Sequence, residues 1–167
     1  GIEETVYALN RGDIASVTYD STNKTIVEAI TMDSGKTAFT IKGFKKSSNA
    51  GYDMTANENF PDTFKHYFSF QPWGNDAATI KQLDNLADLV IIVESKNKGV
   101  AGDGAFEIFG LETGLYKSSD SMRLNDNNGI PTIELTTQDG EDASVSRHVF
   151  FDTDYATTKA AIVALLS

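Results

Sequence analysis

Apolar and polar positions alternate along most of this chain at the two-residue period of a half-buried strand. The clearest instance is residues 64–70, where Phe64, His66, Phe68 and Phe70 alternate with Lys65, Tyr67 and Ser69, placing three phenylalanines on one sheet face. Earlier, Ile14–Tyr19 and Thr25–Met32 are rich in β-branched residues and flank the turn cluster Asp20-Ser21-Thr22-Asn23-Lys24, which predicts a hairpin. After Asp33-Ser34-Gly35-Lys36, Phe39 and Ile41 alternate with Thr40 and Lys42, and a three-stranded meander is the simplest arrangement. The polar segment 45–59 reads as a partly structured insertion with a weak strand around Tyr52–Thr55.

Two stretches break the two-residue period. Asn75 or Asp76 is placed to cap a helix over about 76–87 that carries Ile80, Leu83 and Leu86 on one stripe. Burying each of those would contribute roughly 1.5 to 3 kcal/mol before entropy. The run Leu89-Val90-Ile91-Ile92-Val93, ending at Glu94, follows almost without a linker and has the pattern of a strand covered on both faces. Ala105–Phe109 predicts a strand, and Gly110–Gly114 a bend permitted by its two glycines. Ile130–Thr137 and Ser144–Phe151 predict a terminal hairpin, followed by a helix over about 155–166 capped by Asp152, Thr153 or Asp154. The expected fold is one mainly β domain over residues 1–167, an antiparallel sandwich or barrel with one flanking and one C-terminal helix.

Composition narrows the function classes. At 167 residues and 40% hydrophobic content the chain buries a core without staples, and it contains no cysteine to supply a thiolate ligand or nucleophile. With 14 basic and 24 acidic residues its net charge is -10, which repels a phosphate backbone and argues against tight nucleic-acid binding. Its apolar runs are far short of the ~20 residues of a membrane-spanning helix. The chain opens on Gly1-Ile2-Glu3-Glu4 without a Met, consistent with a processed terminus, and its location is not read from that.

Residues with catalytic or ligand chemistry do not assemble into a site. His66 and His148 lie inside strand patterns, and two distant histidines without cysteine fall short of a zinc set. Asp33-Ser34-Gly35-Lys36-Thr37 lacks the upstream glycine of a phosphate loop, since position 30 is Ile30. Asn125-Asp126-Asn127-Asn128-Gly129 puts Leu124 and Leu135 where a calcium loop needs ligands. Arg11-Gly12-Asp13 is a tripeptide common by chance, and Asn23-Lys24-Thr25 fits a glycosylation sequon. The acidic pairs Glu3-Glu4, Glu141-Asp142 and Asp152 with Asp154 read as solvated turns and caps. Tyr52, Phe60, Trp73 and Tyr116 lie in or near loops, where they could form a sugar-stacking platform. No catalytic residue, cofactor or metal is expected, and the chain reads as a non-enzyme.

The segment Gly104–Leu115 contains Phe-x-Ile-x-Gly-x-x-x-Gly-Leu (Phe106 to Leu115). Together with the order of elements from about Ile14 to Phe151, it resembles the tail tube proteins of long-tailed bacteriophages. That resemblance implies a sandwich or barrel with a flanking helix, assembled into hexameric rings around a β-lined, DNA-conducting channel. It also implies a long loop contacting the next ring, for which 45–59 is the candidate. The expected partners are copies of the chain and other tail proteins, and the expected location is the virion, after synthesis in the bacterial cytoplasm. Six copies would carry about -60 per ring, a sign that lets DNA slide without sticking. The alternative is an extracellular bacterial β-sandwich module binding a glycan or protein ligand through Tyr52, Trp73 and neighbouring loops.

Overall fold

The computed structural model describes residues 1–44, 46–72, 76–126 and 129–167. In chain order the strands and helices are β1 (Ile2–Asn10), β2 (Ile14–Tyr19), β3 (Ile26–Met32), β4 (Phe39–Lys42), β5 (Asn49–Thr55), β6 (Thr63–Phe70), α1 (Ala77–Asp84), β7 (Leu89–Ser95), β8 (Phe106–Phe109), β9 (Tyr116–Ser121), β10 (Thr132–Thr136), β11 (His148–Phe150) and α2 (Tyr155–Ala164). Among the described residues these strands form a seven-stranded sheet, ordered β2-β3-β11-β8-β7-β1-β4, and a four-stranded sheet, ordered β5-β6-β10-β9. Both sheets have free edges, so the mainly β fold takes the sandwich form and not the barrel. It is antiparallel except where β11 runs parallel to β3.

The seven-stranded sheet is covered on both faces. Along β7 and β1, Leu89, Ile91, Val93, Val6 and Ala8 meet Phe68, Phe70, Ile133 and Leu135 of the four-stranded sheet. Their neighbours Val90, Ile92, Tyr7 and Leu9 turn the other way, joining Phe106, Ile108, Phe150 and Ile162 of α2 in a second core. Strands buried on both faces lose their alternation and become continuous apolar runs, which is the pattern of Leu89–Val93. β6 keeps its alternation because only one of its faces is covered: His66, Phe68 and Phe70 are buried, whereas Lys65, Tyr67 and Ser69 are partly exposed.

Several pairings differ from the expected ones. The β2–β3 hairpin forms, closed by Asp20, whose carboxylate accepts from the Thr22 and Asn23 amides. β4, however, pairs with β1 instead of β3, so there is no three-stranded meander. β1 itself was not anticipated: its two glutamates obscure the Val6-Tyr7-Ala8-Leu9 run that fills both cores. Within 45–59, residues 49–55 are a regular strand paired with β6 throughout, not a loose insertion. The expected terminal hairpin is also absent, because β10 joins β6 and β9 in one sheet while β11 joins β3 and β8 in the other. Residues 137–147 therefore cross between the sheets.

Both helices form where expected. Asp76 caps α1 by accepting from the Thr79 amide, while Asn75 lies outside the described residues. On that helix Leu83 packs on the inter-sheet core, and Leu86, just past its end, is buried, but Ile80 is 48% exposed and does not share the apolar stripe. Asp154 caps α2, accepting from the Thr157 amide. α2 lies on the seven-stranded sheet, with Tyr155 stacked on Phe106 at 5.5 Å and the Leu165 carbonyl accepting from the Ala38 amide at 2.8 Å.

The polar anchor of that helix is Glu94, the residue that ends the apolar run of β7. It is 6% exposed, and its carboxylate accepts from Lys159 Nζ (2.7 Å), Lys98 Nζ (2.8 Å) and the Tyr155 hydroxyl (2.8 Å). Burial alone would raise its pKa, but the hydrogen bonds from Lys159, Lys98 and Tyr155 outweigh that and hold it at about 2. The stabilisation is therefore complete above the ordinary carboxylate value near 4.5 and is lost as pH falls toward 2. Glu94→Gln is expected to cost about 1.5 to 3 kcal/mol in urea unfolding at neutral pH. The gap to wild type should close as the pH is lowered through that window.

Candidate functional site

The glycine segment and His66 meet where the two sheets join. The His66 ring, 1% exposed on β6, accepts at Nδ1 from the Gly110 amide (2.8 Å) and donates from Nε2 to the Val145 carbonyl (2.9 Å). Those two bonds fix the neutral tautomer with its proton on Nε2. The bend is closed by Gly114 N–H donating to the Gly110 carbonyl at 2.8 Å and by paired bonds between Leu115 and Leu89. Gly110 and Gly114 have φ of +82° and +80°, and a Cβ on Gly114 would lie 2.0 Å from Asp88 Oδ1. Backbone geometry and close approach therefore explain these glycines without a ligand.

Arg11 locks the same joint. Its Nε donates to Asp88 Oδ1 at 2.7 Å and its Nη1 to the Glu112 carbonyl at 3.2 Å, so the Arg-Gly-Asp tripeptide lies in a turn whose arginine is engaged internally. Glu112 accepts from the Ser144 amide (3.0 Å) and hydroxyl (2.8 Å). Ser144 thus donates to a carboxylate and is not paired with a histidine, so the nucleophile–base contact of a hydrolase is missing here. His148 is 4% exposed on β11, tilted against Tyr19 at 5.9 Å, and its Nδ1 has no protein partner.

The other residues singled out in the sequence are dispersed. Asp33–Thr37 is an exposed turn, closed by Lys36 N–H to the Asp33 carbonyl. Asn23 accepts from the Thr25 amide in the β2–β3 turn. In the 125–129 turn Gly129 N–H donates to the Asp126 carbonyl, and Asn127 and Asn128 lie outside the described residues. Asp142 accepts from the Thr63 hydroxyl, Asp154 serves as a helix cap, and Glu3 stands 3.8 Å from Lys98. Among the described residues no three His, Asp or Glu side chains converge as metal ligands. Tyr52 packs edge-on to Phe64 beneath the Arg147 guanidinium, on β5. Tyr116 is on β9, three strand spacings or about 14 Å across the sheet. Phe60 projects from the 56–62 turn, 76% exposed, and Trp73 lies outside the described residues.

What remains distinctive is the four-stranded sheet itself. Its inner face is apolar, and its outer face presents Gly51 and Asp53 from β5, Lys65, Tyr67 and Ser69 from β6, and Thr132, Glu134 and Thr136 from β10, as the strand register requires. Tyr67 lies across from Gly51, and its hydroxyl bonds to Ser69 Oγ at 3.0 Å. Both edges, β5 and β9, have a strand on one side only. Sequence reasoning missed β9 as a pairing edge because Tyr-Lys-Ser-Ser-Asp-Ser carries almost no apolar signal. It also missed the Glu94 cluster, whose α2 partners lie 61 and 65 residues away.

The two buried histidines give a pH test. Burial pushes both histidines below their ordinary value of 6.5; the nearby Glu112 opposes this at each, and His66 adds to the lowering at His148. The unfolded chain takes up protons that the native state refuses, so stability held above about pH 6.5 falls as the pH drops below it. The urea midpoint of wild type should decline between about pH 7.5 and 5.5, and in the double variant His66→Gln, His148→Gln that decline should be largely absent.

In the described residues no helix is long and apolar enough to cross a membrane. Comparison of the chain with protein families, curated proteins and solved structures finds no match.

Proposed function

We propose that this chain is a structural tail protein of a bacteriophage or prophage, of the tail-tube type, acting by self-assembly and without catalysis. The observation that carries the reading is the four-stranded sheet, with its hydroxyl-rich outer face and two unpartnered edges. Copies arranged in a ring with β5 of one beside β9 of the next would satisfy both rows of free backbone groups and join six sheets into one wall. The polar outer face would then line the channel. On that face Asp53 and Glu134 outnumber Lys65, so the wall would carry no net positive charge to hold DNA. The buried chemistry agrees with the same reading, since His66, Glu94 and Arg11 are each committed to internal contacts. Other tail proteins and the virion are the corresponding partners and location.

Negative-stain imaging combined with light scattering over a concentration series tests the proposal. Rings or short tubes are the expected result. Lysines placed on the two free edges, Asn49→Lys and Ser119→Lys, should abolish ring closure while leaving the thermal midpoint within a few degrees of wild type. A chain that stays monomeric at every concentration and shifts its fluorescence on adding oligosaccharide would point instead to a glycan-binding module.

A further inference from the structure

We infer that His66 is an acid-opened latch: its neutral ring ties the 110–116 bend to the 137–147 crossover, and a proton taken up at Nδ1 releases both segments while the two sheets stay packed. This concerns a single copy of the chain and is independent of the tail-tube reading. It starts from the direction of two hydrogen bonds. Nδ1 accepts from the Gly110 amide at 2.8 Å, and Nε2 donates to the Val145 carbonyl at 2.9 Å. A proton added at Nδ1 would face the Gly110 N–H, donor against donor, so the imidazolium cannot keep that bond. Gly110 is buried and the ring is 1% exposed, so an amide left unsatisfied there is costly and the bend has to move.

The elements around the ring each bring a defined group to it. On β6 itself Lys65 and Tyr67 project to the opposite face. Thr137, leading out of β10, accepts from the His66 amide at its hydroxyl and donates to the His66 carbonyl. The Phe109 ring of β8 meets the imidazole edge-on at 5.7 Å. The bend brings the Glu112 carboxylate, whose charge favours the imidazolium, and β11 brings the buried His148. Arg11 reaches the bend from the end of β1, but its Nε is committed to Asp88. Burial opposes the proton, so release comes below the ordinary histidine value of 6.5. The open state binds the proton more tightly than the closed one and gains population as the pH falls. Beside Val145, Ser144 donates to Glu112 through its amide and hydroxyl, so a moving bend loosens both contacts of the crossover together. Further into the interface, Phe68, Phe70, Ile133 and Leu135 pack on Leu89, Ile91 and Val93, none of which titrates. Opening is thereby confined to one end of the sandwich.

Hydrogen exchange followed by mass spectrometry between about pH 7.5 and about pH 5, corrected for the intrinsic rate, tests the latch. In wild type, residues 110–116 and 137–147 should lose protection together, at least about fivefold across that range, and at each pH should stay at least about tenfold less protected than β7. His66→Gln should abolish the pH-dependent loss in both segments, and His148→Gln should leave it in place. A loss that persists in His66→Gln, or that disappears in His148→Gln, overturns the inference. So do two segments that open independently, or that share the protection of β7, since the event is then unfolding of the whole molecule. Ring-nitrogen NMR of wild type keeps the test open should His66→Gln fail to fold. Nδ1 of His66 should be the unprotonated acceptor at neutral pH and gain its proton at the pH where exchange of the two segments rises. A ring that takes up its proton while Gly110 stays protected overturns the latch.

Discussion

Strand β7 is buried on both faces from Leu89 to Glu94, and that double burial is the constraint the rest of the architecture answers. A sheet whose interior strands have no polar face needs a cover on each side. Residues from β6 and β10 supply one, and α2 supplies the other. The first cover has its own solvent-facing surface, which is why it alternates while β7 does not. The second is a single helix, whose Ile162 and Tyr155 pack into the core on that face. Its fastening is the Glu94 carboxylate, set where the apolar run ends and satisfied by two lysines and a tyrosine. A buried carboxylate is tolerated there only because each of its oxygens is bonded.

The joint between the two sheets obeys the same accounting. The chain leaves the seven-stranded sheet at Gly110 and enters the four-stranded sheet at Tyr116, and the turn leaves backbone groups in a dry environment. His66 satisfies one of them and the Val145 carbonyl of the return crossing with the same ring. Arg11 reaches the same bend from the end of β1. One imidazole thus links β6, the outgoing bend and the returning crossover. The neutral ring is the form that makes both bonds, accepting at Nδ1 and donating from Nε2.

His66, Arg11 and Glu94 are each engaged in internal contacts. The four-stranded sheet combines a polar outer face with two open edges, the features on which the proposed contact between copies rests. Exposed edges are ordinarily blunted by charge or cover. Here β5 carries Tyr52 and Met54 exposed near its end, with the exposed Asp53 between them and the Arg147 guanidinium over the Tyr52 ring.

Local pattern determined a good deal by itself: the β-rich class, β6, the doubly buried β7, both helices and the Gly110–Gly114 bend were all legible. Each is dictated by interactions within a few residues or by which faces must leave water, and periodicity records both. The tertiary structure alone decided which strand lies beside which. β4 pairs with β1 across the sheet, β10 and β11 part into different sheets, and β11 runs parallel to β3, because pairing is chosen by the joint burial of faces far apart in sequence. The roles of Glu94, His66 and Arg11 were hidden for the same reason. Their partners stand 44 to 101 residues away, apart from Lys98 beside Glu94, and a single side chain does not announce the group that will satisfy it.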